Sequence, residues 1–174
     1  KVVFSDETSP GKAGVYALDL AGGPPTLLKA GVIAWCASAD VRYFLEYTSD
    51  TSITAVDTTT RAEFPFASGE TLRSPYFSPD GRWVALHVRS TEVTRQIFVL
   101  PFHEGRETPR SEWVPITDGR RLDREPKWSP DGNLLYYLAD REGARGIHAQ
   151  RLDPATKRPL GSPFEVMMFR GTQR

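Results

Sequence analysis

A nine-residue frame occurs twice in this chain and constrains the fold more than any other feature. Residues 73–81 read RSPYFSPDG and residues 124–132 read REPKWSPDG. Arg, Pro, an aromatic, Ser, Pro, Asp and Gly fall at identical offsets, with Asp80 and Asp131 51 residues apart. Self-similarity at fixed offsets over a period of roughly 20–50 residues is the mark of a repeat architecture. Repeat folds carry many roles, so function has to be argued from sites.

Each frame leads into the same succession of segments. RWVALHVR or NLLYYLAD comes first, then QIFVLPF or GIHAQRLD, then WVPIT or PFEVMMF. With the segment entering the frame, that makes four strands per repeat. The strands are short, rich in Val, Ile, Tyr, Phe and Trp, and bounded by Gly, Pro, Asp and Ser, as in an all-β sandwich, barrel or propeller. A degenerate copy lies upstream. Trp35 leads to Ser38, Ala39, Asp40, Val41 and Arg42, followed by YFLEY, SITAVDTT and EFPFA. A partial copy opens the chain with VVFSD, GVYALDL and PTLL, and lacks a first strand.

The turn has a physical reading. Pro79 and Pro130 pre-set φ near −65°, Asp80 and Asp131 bond nearby backbone, and Gly81 and Gly132 take the left-handed conformation. Val41 stands where glycine stands in the other copies, so the turn there is expected to differ. Phe77 and Trp128, each two residues before the proline, are expected to anchor neighbouring sheets. The third strands are apolar on both faces: Ile97 and Val99 against Phe98 and Leu100, Val15 and Ala17 against Tyr16 and Leu18. That pattern suits sheets stacked face to face around an axis, the radial repetition of a β-propeller. The expected fold is all-β, a partial propeller of about four blades of four-stranded antiparallel sheet. The blades are placed at about 1–31 (partial), 32–69, 70–119 and 120–174.

The pattern Pro-x-aromatic-Ser-Pro-Asp-Gly, followed by an apolar strand and an Ile/Val-aromatic strand, resembles the TolB-like propeller repeat, a relative of the WD repeat. The resemblance is strong over 70–174 and weaker over 1–69. The tail RLDPATKRPLGSPFEV is similar to the last blade of propellers fused to bacterial sensor or regulator modules, such as Ser/Thr kinases and winged-helix regulators. Propellers of this kind close with about six to eight blades, so a chain supplying fewer than four departs from a closed ring. The resemblance implies a bacterial module that binds protein partners through loops on one face and through the central channel. It alone favours a periplasmic or extracytoplasmic setting; no targeting signal in the sequence assigns a compartment.

Composition narrows the partners. The 174 residues carry 22 Lys+Arg and 22 Asp+Glu. With a formal charge of zero, no whole-chain field draws the protein to nucleic acid or an anionic membrane. No apolar run approaches the length of a membrane-spanning helix. The opening residues KVVFSDETSP lack a signal-peptide core and read as the middle of a strand, so the chain is expected to start inside a larger protein.

Catalytic and metal motifs are not found. There is no G-x-S-x-G elbow and no H-E-x-x-H, C-x-x-C or nucleotide-binding glycine loop. No cofactor and no metal are expected. Cys36, alone in the chain, reads as a small packing residue. His87 and His148 lie in strands and read as packing residues. His103 is placed in a solvated loop, and Trp113 is read as packing in a fourth strand. Asp80 and Asp131 recur at equivalent places in two repeats, which fits turn chemistry and not a carboxylate pair.

Arg73 and Arg124 each precede an innermost strand and should point near the axis. An inter-blade ion pair, with Glu70 or Asp123 for instance, is the simpler role, and capture of a partner is the alternative. Loops joining second to third strands (near 5–14, 48–52, 89–96 and 140–146) and joining blades (near 67–74 and 117–126) are expected on one face. Arg73, Arg124, Arg141 and Arg145 are the candidate binding residues there, with Asp140 and Glu142 among them. They suit an acidic protein or peptide partner. The leading function is a non-catalytic interaction or ligand-sensing module; the alternative is the substrate-gating propeller of a prolyl-oligopeptidase-like peptidase. Apolar faces on the end blades are expected to drive self-association or closure into a small four-blade ring.

Overall fold

Strand periodicity and turn chemistry place the elements where the repeats predict them. The computed structural model describes residues 1–7, 13–141 and 143–169. A three-stranded sheet comes first, from β1 (Val2–Asp6), β2 (Gly14–Leu18) and β3 (Thr26–Ala30). The second sheet has β4 (Ala34–Ala37), β5 (Tyr43–Ser49), β6 (Ser52–Asp57) and β7 (Glu63–Ser68). The third has β8 (Leu72–Phe77), β9 (Trp83–Arg89), β10 (Arg95–Pro101) and the short β11 (Val114–Pro115). The fourth has β12 (Asp123–Trp128), β13 (Leu134–Arg141), β14 (Ala144–Leu152) and β15 (Pro159–Met168). All pairings within these sheets are antiparallel, in chain order. No helix among the described residues is long and apolar enough to cross a membrane.

Packing between sheets explains the two-sided apolar strands. Leu86, Phe98 and Leu100 of the third sheet meet Leu45, Ile53 and Phe66 of the second. On the opposite face, Ala85, Ile97 and Val99 meet Leu135, Tyr137 and Ala139 of the fourth. Val15 packs with Phe44 and Val56 between the first and second sheets. Phe77 stands edge-on to Phe102 at 4.9 Å and packs against the core of the second and third sheets. Trp128 packs between the third and fourth sheets, and its Nε1–H donates to the Tyr76 carbonyl at 2.9 Å.

Trp113 is buried as expected, but it follows a 3-10 turn at Arg110–Glu112 and so precedes the fourth strand. His103 is not simply solvated: it is half-buried, with Nε2 2.5 Å from the Glu112 carboxylate.

The turns overturn one expectation. Val41 has φ 62°, against 70° at Gly81 and 69° at Gly132, so the degenerate turn is not different. Its hydrogen bonds are also the same. The hydroxyls of Ser38, Ser78 and Ser129 donate to Asp40, Asp80 and Asp131 at 2.6, 2.6 and 2.5 Å. The same three carboxylates accept from the backbone N–H of Arg42, Arg82 and Asn133 at 3.1, 3.1 and 3.2 Å. These bonds hold the carboxyls of Asp40 and Asp131 below the usual range. In Asp80 the bonds from Ser78 and Arg82 lower the carboxyl against the upward pull of burial. At Val41 the Thr58 hydroxyl adds a bond to the carbonyl at 2.9 Å. The network imposes the left-handed conformation even on a β-branched residue, which costs about 1–2 kcal/mol.

Relief of that strain makes Val41→Gly stabilising by about 1 kcal/mol, after the extra entropy that glycine loses on folding. Gly132→Val should destabilise by about 1–2 kcal/mol. An added Cβ at Gly132 would meet only ordinary contacts, at 3.6 Å from Pro79, so the cost is conformational. Denaturant midpoints should move in opposite directions; midpoints that stay put in both variants would remove the strain argument.

The four sheets contact in series, β4 against β1, β8 against β4, and β12 against β8 and β9. The ends stay open: Val2, Phe4 and Leu27 are exposed on the first sheet, and Leu160, Val166 and Met167 on the last strand. The alternative of a small closed ring is therefore not adopted, because these end faces do not pack on each other.

Candidate functional site

Backbone bonds bring the expected loops to one face. Gly69 N–H donates to the Thr51 carbonyl and Leu72 N–H to the Asp50 carbonyl, both at 3.0 Å. Arg95 N–H donates to the Arg121 carbonyl at 2.9 Å. Loops joining second to third strands thus meet the connections between sheets. Residues 8–12 and Glu142 lie outside the described residues.

The four candidate arginines do not form one cluster. Arg73 Nη2 pairs with Asp50 at 2.8 Å, and its guanidinium lies 5.8 Å from the Tyr47 ring centroid. It therefore bridges the second and third sheets through Asp50 and not Glu70, which instead pairs with Arg110 at 2.9 Å. Asp123 pairs with Arg141 at 2.8 Å, not with Arg124. Burial raises the Asp123 carboxyl above its ordinary range against the pull of Arg141. Arg145 pairs with Asp140 at 3.0 Å. Arg141 lines a cleft between the third and fourth sheets with Asp123, Tyr137 and His148. Arg124 has no ion pair among the described residues.

Arg73 and Arg124 do share one cavity, of about 330 Å³, at the inner strands β4, β8 and β12. Bulges place them there. Register shifts occur between Arg73 and Tyr76 and between Arg124 and Lys127. At each bulge the residue before proline is left-handed, Ser74 at φ 52° and Glu125 at φ 54°. A non-glycine residue in this region costs about 1–3 kcal/mol and needs surrounding bonds to hold it. Those bonds are present. Ser74 N–H donates to the Tyr47 hydroxyl at 2.6 Å, and the Ser74 hydroxyl donates to Glu125 at 2.9 Å. The second bond ties one bulge to the other.

His87, Arg89 and Arg95 complete the basic wall, and Trp35 stands at its edge. His87 lies opposite Arg73 on β9, is 3% exposed, and has no partner at Nδ1. Burial, then the charges of Arg95, Arg73 and Arg124, push its pKa down to about 3, so it is neutral at physiological pH. Burial and the Arg124 and Arg89 charges also pull the Arg95 guanidinium below its ordinary value. Arg89 pairs with Glu92; Arg95 has no ion pair among the described residues. Four guanidiniums and one carboxylate, Glu125, line the cavity, and two of the four, Arg73 and Arg89, already pair with Asp50 and Glu92. This is chemistry for holding an anion, and the Ser74 hydroxyl in the wall is already bonded to Glu125. Burial pushes the Cys36 thiol up to about 12. Sequence reasoning named the loop near 89–96 but missed Arg95. Its placement opposite Arg89 on β9, beside the β12 bulge, follows only from the pairing of three sheets.

No protein-family profile matches the chain. Among solved structures, a candidate TolB from Agrobacterium tumefaciens superposes with a TM-score of 0.67 at 23% identity, over 98% of this chain. The fold is that of a TolB-like β-propeller. TolB from Acinetobacter baumannii superposes with a TM-score of 0.65 at 18% identity, over 90% of this chain. The chain spans 63% and 39% of the length of these two proteins. A curated relative, the uncharacterized peptidase YuxL of Bacillus subtilis (strain 168), is 31% identical over 77 residues. That match covers 41% of this chain and 11% of the peptidase.

Proposed function

We propose that this propeller is a non-catalytic interaction or ligand-sensing module of a larger bacterial protein, binding a protein partner through the loops around the central channel. Blade boundaries near 31/32, 69/70 and 119/120 belong to this reading. The observation that supports it most is the inner-strand cavity, where Arg95 and Arg124 face open space with no carboxylate of their own. Arg124 is the contact placed first. Arg73, Arg141 and Arg145 already hold carboxylates of this chain and would have to exchange them to grip a partner.

Charge reversal tests the reading best at Arg124. Arg73→Glu would set a carboxylate beside Asp50 and confound binding with stability. In the full-length protein, Arg124→Glu should abolish capture of the native partner while the melting temperature stays nearly unchanged. Undiminished capture by a folded variant would move the site elsewhere. The exposed end faces add a route to self-association, which concentration-dependent sedimentation would register.

The alternative, a propeller that gates a peptidase, draws on the match to YuxL. Labelling of the full-length protein by a serine-reactive fluorophosphonate would favour it, and absence of labelling would count against it.

A further inference from the structure

We propose that the cavity between β4, β8 and β12 receives a carboxylate from an acidic peptide segment, held by Arg95 and Arg124 with an adjacent apolar side chain against Trp35. The proposal rests on the interaction reading above and names the group that the site recognises.

Three independent observations converge on the cavity. The first is the pair of guanidiniums. Neither Arg95 nor Arg124 has an ion pair among the described residues, although each carries its charge beside the other. Like charges held together repel, and an anion between them reverses the sign of that interaction. Guanidinium forks match carboxylate geometry and give stronger bonds than neutral donors do. The second is His87, which lines the same cavity, is 3% exposed and has an unpartnered Nδ1. Buried polar atoms are rarely left without a partner, and each exception calls for an explanation. A neutral imidazole can offer N–H to an incoming anion without adding charge. The third is Trp35, 42% exposed at the edge of the basic wall and set edge-on to Tyr47 at 5.5 Å. A large aromatic beside guanidiniums is the pairing enriched at protein-binding hot spots.

Glu125 favours a monoanion over phosphate. Its carboxylate stays in the wall, held by the Ser74 hydroxyl, and repels a dianion about twice as strongly as a monoanion. Trp35 also offers apolar contact that inorganic phosphate cannot use. An acidic peptide with an apolar side chain next to its carboxylate uses both features.

The test is a fluorescence-anisotropy titration of the full-length protein with a short labelled peptide alternating glutamate and phenylalanine. Its glutamine counterpart and inorganic phosphate, at constant ionic strength, serve as comparators. The glutamate peptide should saturate the protein, and the glutamine peptide should bind at least tenfold more weakly. Arg95→Met and Arg124→Met should each weaken binding about tenfold or more, the usual weight of one charge-assisted bond. Arg158→Met, on an exposed loop, should not. Melting temperatures should hold or rise in Arg95→Met, since a repulsion is removed; this keeps loss of binding distinct from loss of fold. Equal binding of both peptides, or full binding by the double Met variant, overturns the proposal. Displacement of the peptide by phosphate at matched anion concentration also overturns it, in favour of a phosphate site. If no peptide binds while Arg124→Glu still abolishes capture of the native partner, the carboxylate assignment fails and the interaction reading stands.

Discussion

Trp128→Ala is expected to lower stability by about 3–5 kcal/mol, the range for large aromatic truncations in packed interiors. The indole fills space between the third and fourth sheets against the cluster of Ala85, Ile97 and Leu135. It also supplies the donor for the Tyr76 carbonyl on the neighbouring inner strand. Alanine removes the packing and leaves that carbonyl without its partner. Trp128→Phe keeps most of the ring and loses the N–H, so it should cost less, by about 1 kcal/mol for the hydrogen bond plus the smaller ring. Urea or guanidinium midpoints resolve the series. A midpoint that barely moves in Trp128→Ala would mean that this tryptophan does not hold the last two sheets together.

Acid should weaken the fold through His87 before the carboxylates titrate. Its folded pKa is depressed to about 3 from an ordinary 6.5. A depressed histidine is neutral in the fold, so the unfolded chain takes up the proton first as the pH falls. The contribution is fully present above the unfolded value and is lost between about 6.5 and about 3. The slope is about 1.4 kcal/mol per pH unit within that window. From pH 7 to pH 5 the protein should therefore lose about 2 kcal/mol. His87→Leu should lose much less over the same interval. His148 is also depressed, by burial and then by the Arg141 charge, so the difference between the two proteins is the quantity to read. Equal slopes in wild type and His87→Leu would show that His87 does not carry the acid sensitivity.

The fold was largely legible because its determinants are local and repeated. Ser-Pro-Asp-Gly specifies a turn through bonds that span five residues or fewer, and strand alternation follows it at once. Each bonded pair is visible in sequence, from Ser78 with Asp80 to Ser129 with Asp131. Val41 was misjudged for the opposite reason. Its propensity opposes the left-handed region, and the bonds that override it run from the Ser38 hydroxyl and the Arg42 N–H to the Asp40 carboxylate and from the Thr58 hydroxyl to the Val41 carbonyl. The same serine and aspartate stand in all three copies, and this pair, not the residue after the aspartate, sets the turn.

The site was legible only in part. The repeat frame tied Arg73 and Arg124 to the first strands of their sheets, but they lie inside β8 and β12 at the bulges and do not precede them. Their partners could not be read, since Asp50 is 23 residues from Arg73 and nothing in the spacing links them. Trp35, His87 and Arg95 come from three different strands and meet Arg124 only after the sheets stack. Long-range juxtaposition of this kind leaves no local pattern. The unpartnered state of Arg95 also depends on which carboxylates other arginines have already taken.

Photo-cross-linking in cells tests the central claim, partner binding on the channel side, most directly. A benzophenone amino acid would replace Trp35 at the cavity, or Leu160 on the outermost strand, in the full-length protein. A discrete protein adduct from position 35, lost when Arg124→Glu is added, is the predicted result, with none from position 160. An adduct from position 160 alone, or one from position 35 that survives Arg124→Glu undiminished, would contradict the account.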